Sequence, residues 1–174
     1  MPAPGTNRKG RVLIFCGVPG SGKTTIARLV AQALGSAVHI QADTFRFMIP
    51  RPAYTFVEGR FVYESMFLVG RQALKSGYDA ILDATFLKED YRQEAENNLA
   101  RYCSSSTVVC VTCDLEVAKA RNLAREPVVP EASFERLAGA FEEPDEGIFV
   151  RSDKRTPESA ADYIVHKVGK RFTG

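Results

Sequence analysis

The stretch that decides the fold is GVPGSGKTT, from Gly17 to Thr25. It satisfies the pattern GxxxxGK[ST], directly follows an apolar run at residues 12–16 and leads into a helical pattern at residues 24–34. A phosphate-binding loop (P-loop) requires this order of strand, glycine-rich loop and helix, because the loop amides and the helix N-terminus then point at phosphate oxygens. The sequence therefore predicts a site for a nucleoside triphosphate.

The residue types inside this loop predict how the triphosphate is held. Its glycines permit backbone conformations that other residues avoid, so that consecutive amide hydrogens can turn inward. Lys23 places a positive charge against the β- and γ-phosphates, and the Thr24 hydroxyl is the expected ligand of a bridging Mg²⁺. We expect ATP and Mg²⁺ as cofactors. The expected nucleotide-binding residues are Gly17, Gly20, Ser21, Gly22, Lys23, Thr24 and Thr25.

Outside the loop, short apolar runs alternate with longer helical patterns along the chain. Such alternation is typical of βαβ units, and strands that are apolar throughout belong in parallel sheets covered by helices on both faces. We predict an α/β P-loop NTPase fold with a five-stranded parallel sheet. The predicted strands are residues 12–16, 37–40, 80–82, 107–112 and 148–150. The predicted helices are residues 24–34, 58–75, 88–101, 115–124, a segment after Pro130, and 157–170.

Length and composition limit the class of protein. With 174 residues and 45% hydrophobic content, the chain fits one domain. We predict a flexible N-terminus at residues 1–10 and a single domain at residues 11–174, with a lid at about residues 115–142. A net charge of +2 is not that of an obligate nucleic-acid coat protein. No apolar run reaches the ~18 residues of a membrane span, so we expect a cytoplasmic protein.

A carboxylate after the second predicted strand indicates phosphate transfer. Asp43 stands there in the run QADTFRFM. A carboxylate at this place can accept the proton of a hydroxyl group that attacks the γ-phosphate, which contributes ~10²–10⁴-fold to the rate. Arg46 shares its face if the segment makes one helical turn, and then holds an anionic part of the acceptor. The structural alternative is a helix N-cap at Asp43 with Arg46 in solvent.

A second carboxylate ends the third apolar run. Asp83 stands there, with Thr85 two residues later on the same side. Asp83 is a candidate for holding Mg²⁺ through water or for supporting Arg46, and we place both Asp83 and Thr85 on the acceptor side. A purely structural role for Asp83 remains open.

Two arginines precede the sequence EPVVP at residues 126–130. Arg121 and Arg125 are four positions apart, so they share one face of the predicted helix. Closure of this segment over ATP would neutralise charge that develops between the β- and γ-phosphates, an effect of ~10³–10⁵-fold in phosphoryl transfer. We expect Arg121 and residues 151–156 to line the adenine pocket. A surface pair between Arg125 and Glu126 is the alternative.

The combination of GVPGSGKTT, DTFR, DATF and RNLAREPVVP resembles the kinase domains of 5′-hydroxyl polynucleotide kinases and the wider AAA_33-type family of small P-loop kinases, from Arg11 to about Phe149. The resemblance implies a sheet like that of nucleoside monophosphate kinases with a helical lid, an aspartate base, an arginine on the 3′-phosphate of the acceptor, and lid arginines on ATP. Carried over, these are Asp43, Arg46, Arg121 and Arg125. It also implies that Val129 lies against the acceptor base.

Three functions fit this pattern. The first is phosphorylation of the 5′-hydroxyl end of RNA or DNA, with Arg46, Arg51 and Arg60 as a basic groove for a single-stranded end. The second is a small-molecule kinase acting on an antibiotic, sugar or nucleoside. The third is an ATP-binding regulatory module in which Asp43 is dispensable. His39 and His166 show no partner pattern, so neither is assigned a catalytic role.

Overall fold

A parallel sheet of five strands forms the centre of the computed structural model, which describes residues 9–53 and 55–169. The strands are β1 (Gly10–Cys16), β2 (Ala37–Gln41), β3 (Asp79–Asp83), β4 (Cys103–Thr112) and β5 (Ile148–Arg151). Their order is β2-β3-β1-β4-β5, and every pairing is parallel. The predicted five-stranded parallel sheet is confirmed.

The helices follow the predicted alternation with strands. They are α1 (Lys23–Leu34), α2 (Ala42–Arg46), α3 (Phe56–Lys75), α4 (Glu89–Leu99), α5 (Leu115–Leu123), α6 (Glu131–Gly139) and α7 (Pro157–Val168). Helix α3 begins two residues before the predicted start because Thr55 and Glu58 form a capping box there. Residues 1–8, most of the predicted flexible terminus, and the predicted helical residue 170 lie outside the described residues. Residue 10 already belongs to β1.

Helices cover both faces of the sheet, as continuous apolar strands require. One apolar cluster packs α3 and α4 against the sheet, and a second packs α1 and α7 against the opposite face. Met66 and Ala73 of α3 are buried in the first cluster, while Phe134 of α6 is buried in a third, smaller cluster with Ala118 of α5. Among the described residues no helix is both long and apolar enough to cross a membrane.

The strand register decides which loops meet at one edge of the sheet. Asp83 at the end of β3 is in register with Phe15 of β1 and with Gln41 of β2. The P-loop follows β1, and α2 follows β2 directly. The loop, the α2 segment and Asp83 therefore lie together at the carboxyl edge, where ligands of open parallel sheets bind.

Candidate active site

The P-loop has the backbone conformation that phosphate binding requires. Gly17, Gly20 and Gly22 all have positive φ angles, of 148°, 77° and 86°. At Gly20 a Cβ atom would lie 2.1 Å from the carbonyl oxygen of Ala118 in α5, so only glycine fits this approach. The loop is thus packed directly against the predicted lid.

Lys23 is buried at the start of α1. Its Nζ donates a hydrogen bond to the Val18 carbonyl at 3.3 Å. Burial lowers the pKa of Lys23, while the negative charges of Asp83 and Asp43 oppose that shift. A buried ammonium that donates to a backbone carbonyl in the loop is suited to receive phosphate oxygens.

Ala42 and Phe45 of α2 pack against the first apolar cluster. Asp43 and Arg46 are both half-buried and stand three positions apart in the same helix. The helical turn on which their shared face depended is therefore present. Gln41 occupies the N-cap position, so the alternative in which Asp43 caps the helix is wrong. Instead, the Asp43 carboxylate accepts a hydrogen bond from Arg125 Nη2 at 3.0 Å.

The two lid arginines have different partners. Arg125 crosses to Asp43, so the expected alternative of pairing with Glu126 is not what the structure contains. Arg121 donates from Nη1 to Ser152 Oγ at 2.9 Å, and Ser152 Oγ donates in turn to the Ser21 carbonyl of the P-loop at 2.6 Å. Arg121 thus lies beside residues 151–156 and the P-loop, where the sequence predicts an adenine pocket.

Asp83 has a partner that sequence reasoning missed. His39 Nε2 lies 3.0 Å from Asp83 Oδ2, and Asp83 is almost fully buried. The other carboxylate oxygen, Oδ1, is buried without a hydrogen-bond partner among the described residues. The signal would have been the position of His39 on β2, beside the strand that ends in Asp83, because adjacent parallel strands bring such side chains together.

The donor set at this edge fits Mg²⁺. Asp83 offers an oxygen for which the described chain supplies no donor, and Thr24 offers a half-buried hydroxyl in the first turn of α1. Within the described ranges no group of three or more His, Cys, Asp or Glu side chains converges on a metal-sized site. Mg²⁺ is commonly held by phosphates, water and one or two protein oxygens, so this small donor set suffices.

Residues 12–144 match the AAA_33 family, which is described as an AAA domain. The chain belongs to the AAA_33 family. No curated protein sequence matches it. The match covers the P-loop, Asp43 and both lid arginines, so the resemblance to small P-loop kinases is confirmed.

Solved structures share the fold of this AAA_33 protein. A sugar kinase from Janibacter sp. HTCC2649 is 25% identical, with a TM-score of 0.72 over 92% of this chain and 94% of that chain. The Mycobacterium tuberculosis APS kinase CysC in complex with AMPPNP and APS is 17% identical, with a TM-score of 0.74 over 92% and 98%. The Pnkp1/Rnl/Hen1 RNA repair complex is 21% identical, with a TM-score of 0.66 over 78% and 45%. Together with the family match they support a P-loop kinase, a nucleotide-binding phosphotransferase.

In this AAA_33 kinase a buried side-chain amide holds the loop between α5 and α6, which lies within the predicted lid. Asn122 donates from Nδ2 to the Val129 carbonyl at 2.8 Å and accepts from the Val129 amide at 3.2 Å. The Val129 side chain packs with Ala118 and Phe134. The Val129 side chain is therefore buried in this conformation, and Val128 is the exposed valine of the loop; the contact of Val129 with an acceptor base stays a prediction.

Two further residues that the sequence places on the acceptor side, Arg60 and Thr85, already contact other residues of the chain. Arg60 donates to Glu94 and to Glu64, each at 2.6 Å, so its charge is already compensated and does not support the expected basic groove. Thr85 accepts a hydrogen bond from the Gly17 amide with its carbonyl, at 3.1 Å. Thr85 thus joins β3 to the P-loop in this conformation.

Proposed function

We propose that this AAA_33 kinase transfers the γ-phosphate of ATP, in the presence of Mg²⁺, to the 5′-hydroxyl end of RNA or DNA. The observation that carries the proposal is the meeting of Lys23, Asp43 and Arg125 at the carboxyl edge of the sheet. The proposed kinase domain spans residues 11–174, with the lid at about residues 115–142. Thr25 and Ser21 complete the loop around the phosphates.

In the proposed reaction Asp43 acts as the general base. The acceptor oxygen forms a bond to the γ-phosphorus, its proton passes to an Asp43 carboxylate oxygen, and the bond between the γ-phosphorus and the bridging oxygen breaks to release ADP. Lys23 and Arg125 stabilise the negative charge that builds up on the leaving oxygen. Mg²⁺, held through Thr24 and Asp83, would neutralise charge on the phosphates.

Two features support a polynucleotide end as the acceptor. The DTFR motif places Arg46 one turn from Asp43, where a guanidinium can hold a phosphate diester or monoester beside the attacking hydroxyl. The RNA repair complex is among the structures with the same fold, which supports the proposal at the level of the fold. Arg51, exposed beyond α2, would extend the same charge along a strand.

A small-molecule kinase is the second candidate. It is favoured by the sugar kinase at 25% identity, the highest identity among the three solved structures described above. The compensated charge of Arg60 also leaves fewer cations for a long polyanion. This candidate keeps the same roles for Lys23 and Asp43 and changes only the acceptor.

The test is transfer of label from γ-labelled ATP to a panel of acceptors. The panel contains short RNA and DNA with 5′-hydroxyl ends, the same oligonucleotides with 5′-phosphate ends as matched controls, nucleosides, sugars and an aminoglycoside. Label on the 5′-hydroxyl ends alone, lost in Lys23→Ala and Asp43→Ala, supports the proposal. Label on a metabolite but on no oligonucleotide supports the second candidate. Bound ATP with no transfer to any acceptor, unchanged in Asp43→Ala, would favour a regulatory module.

A further inference from the structure

Apolar side chains are unusually exposed on one segment, from the end of α2 to the first turns of α3. We call this set the apolar rim. Its members are Phe47 (45% exposed), Met48 (67%), Phe56 (78%), Val57 (76%) and Phe61 (45%). Three of the five are aromatic, although the helices that carry them have buried faces where such rings would normally pack. Exposed apolar side chains concentrated in one place mark a binding surface.

The inner end of the rim lies beside the proposed base. The Phe47 amide donates to the Asp43 carbonyl at 3.0 Å, so the helical turn that begins in α2 continues through Phe47. Residues four apart on such a turn are neighbours, with about 5–6 Å between their Cβ atoms. Asp43 and Phe47 are therefore neighbours at the end of α2, and Arg46 directly precedes Phe47 in the chain. The Phe47 side chain is exposed and is packed into none of the apolar clusters of the described residues.

The outer part of the rim continues onto α3, which packs against α2. Val57 and Phe61 are four apart and so lie on one face of α3, with Phe56 beside them. The chain between the two helices contains the exposed Arg51. The carboxylate of Asp43, the guanidinium of Arg46 and the ring of Phe47 thus lie within about one helical turn. The apolar rim continues beyond them on α3.

We propose that Phe47 stacks on a flat unsaturated ring of the phosphoryl acceptor, a nucleobase in the case of a 5′-hydroxyl end, while the acceptor hydroxyl faces Asp43. This inference rests on the proposed function, because it assigns the part of the acceptor next to the reacting hydroxyl. In a nucleoside the base and the 5′-hydroxyl are joined to the same sugar ring, so they can reach neighbouring side chains. Arg46 then lies where a phosphate on that sugar would be held.

Stacking on Phe47 would give the site a preference for acceptors that contain a flat ring, which charge alone would not give. An aromatic face binds any base, because every base has a π-face, and it therefore selects for a ring without selecting a sequence. A sugar can place C–H groups against a phenyl ring, but it has no π-face of its own and gains less from the contact than a base does. Phe47 would thus favour nucleosides and polynucleotide ends over simple sugars.

The test compares a 5′-hydroxyl dinucleotide with its counterpart that lacks the 5′-terminal base. Binding of both probes is measured by calorimetry with the protein saturated with AMPPNP, so that no turnover is needed. Wild type should bind the complete dinucleotide about 10–100-fold more tightly than the abasic one. Phe47→Leu should lose most of this difference, and Phe47→Tyr should keep it. Phe149→Leu is the matched control, because Phe149 is 43% exposed and lies on β5.

Three results would overturn the inference. They are equal binding of the two probes by wild type, an unchanged ratio in Phe47→Leu, and a change of oligomeric state in Phe47→Leu, seen by light scattering, without a change in probe binding. The last result would assign the rim to contact with a second copy of the chain. The binding assay does not depend on phosphate transfer, so the two proposals can fail separately. If the protein phosphorylates only nucleosides but still shows a base preference that depends on Phe47, the inference stands and the polynucleotide acceptor is rejected.

Discussion

Arg125 donates a hydrogen bond to the Asp43 carboxylate at 3.0 Å. In the proposed reaction we expect the γ-phosphate of bound ATP to attract this guanidinium, which would free the carboxylate for the acceptor hydroxyl. Arg125→Ala should therefore lower kcat by about 10³-fold with little change in the KM for ATP. Arg121→Ala should mainly raise the KM for ATP, because Arg121 contacts Ser152 beside the P-loop. Steady-state kinetics of both variants check this, and the same pattern in both would contradict separate roles.

His39 is expected to act through Asp83. Its imidazole fixes Oδ2 and leaves Oδ1 for a metal-bound water, and loss of such a supporting contact commonly weakens metal affinity about 10–100-fold. His39→Ala should raise the Mg²⁺ concentration needed for half-maximal binding of a fluorescent ATP analogue. Binding of the analogue without Mg²⁺ should be unchanged. His166→Ala, the other histidine and an exposed one, serves as the control. An unchanged Mg²⁺ requirement in His39→Ala would leave His39 a structural residue.

Among helices and loops, the P-loop contacts α5, a part of the predicted lid, at Gly20. Gly20→Ala should abolish ATP binding, because its Cβ would lie 2.1 Å from the Ala118 carbonyl. Gly35→Ala is the matched control: it has a similar φ of 70° and no atom within 4 Å of the added carbon. It should cost only the backbone strain of about 1–2 kcal/mol and leave ATP binding intact. Calorimetric titration with ATP measures the affinity of both variants. An equal loss of ATP affinity in the two would show that backbone strain, and not the contact with Ala118, causes the effect.

At the level of elements, most of the fold could be predicted from the sequence. Periodicity located every strand and nearly every helix, since burial on one or two faces leaves a regular pattern. Helix α2 has only five residues and was expected only as a conditional turn, because one turn carries too little periodicity to read. The partner of His39 could have been predicted only from the order of the strands, and the partners of Asn122 and Arg125 could not be predicted, because they are fixed by packing between separate segments.

In the protein as a whole, a buried arginine joins the acceptor side to the segment before β5. Arg92 is 1% exposed and donates to the carbonyls of Phe86 and Glu142, both at 2.9 Å, and to the Glu89 carboxylate. The sequence shows Arg92 only as one of several charges in a polar helix, so its burial was not predicted.

Arg92→Met keeps most of the apolar stem but leaves the two carbonyls without their donor. We expect a loss of about 2–4 kcal/mol in the free energy of unfolding, measured by urea denaturation. Arg28→Met, at an exposed position of α1, should stay within about 0.5 kcal/mol of wild type. Equal effects of the two substitutions would contradict a structural role for Arg92.

The assignment of a kinase with Asp43 as its base predicts that nucleotide binding and phosphate transfer can be separated by one substitution. The decisive measurement is single-turnover transfer from prebound, γ-labelled ATP in Asp43→Asn, made beside the ATP affinity of the same variant. We predict an ATP affinity close to that of wild type and a transfer rate lowered by about 10²–10⁴-fold. Transfer at the wild-type rate, or loss of ATP binding together with transfer, would contradict the role of Asp43 as the base.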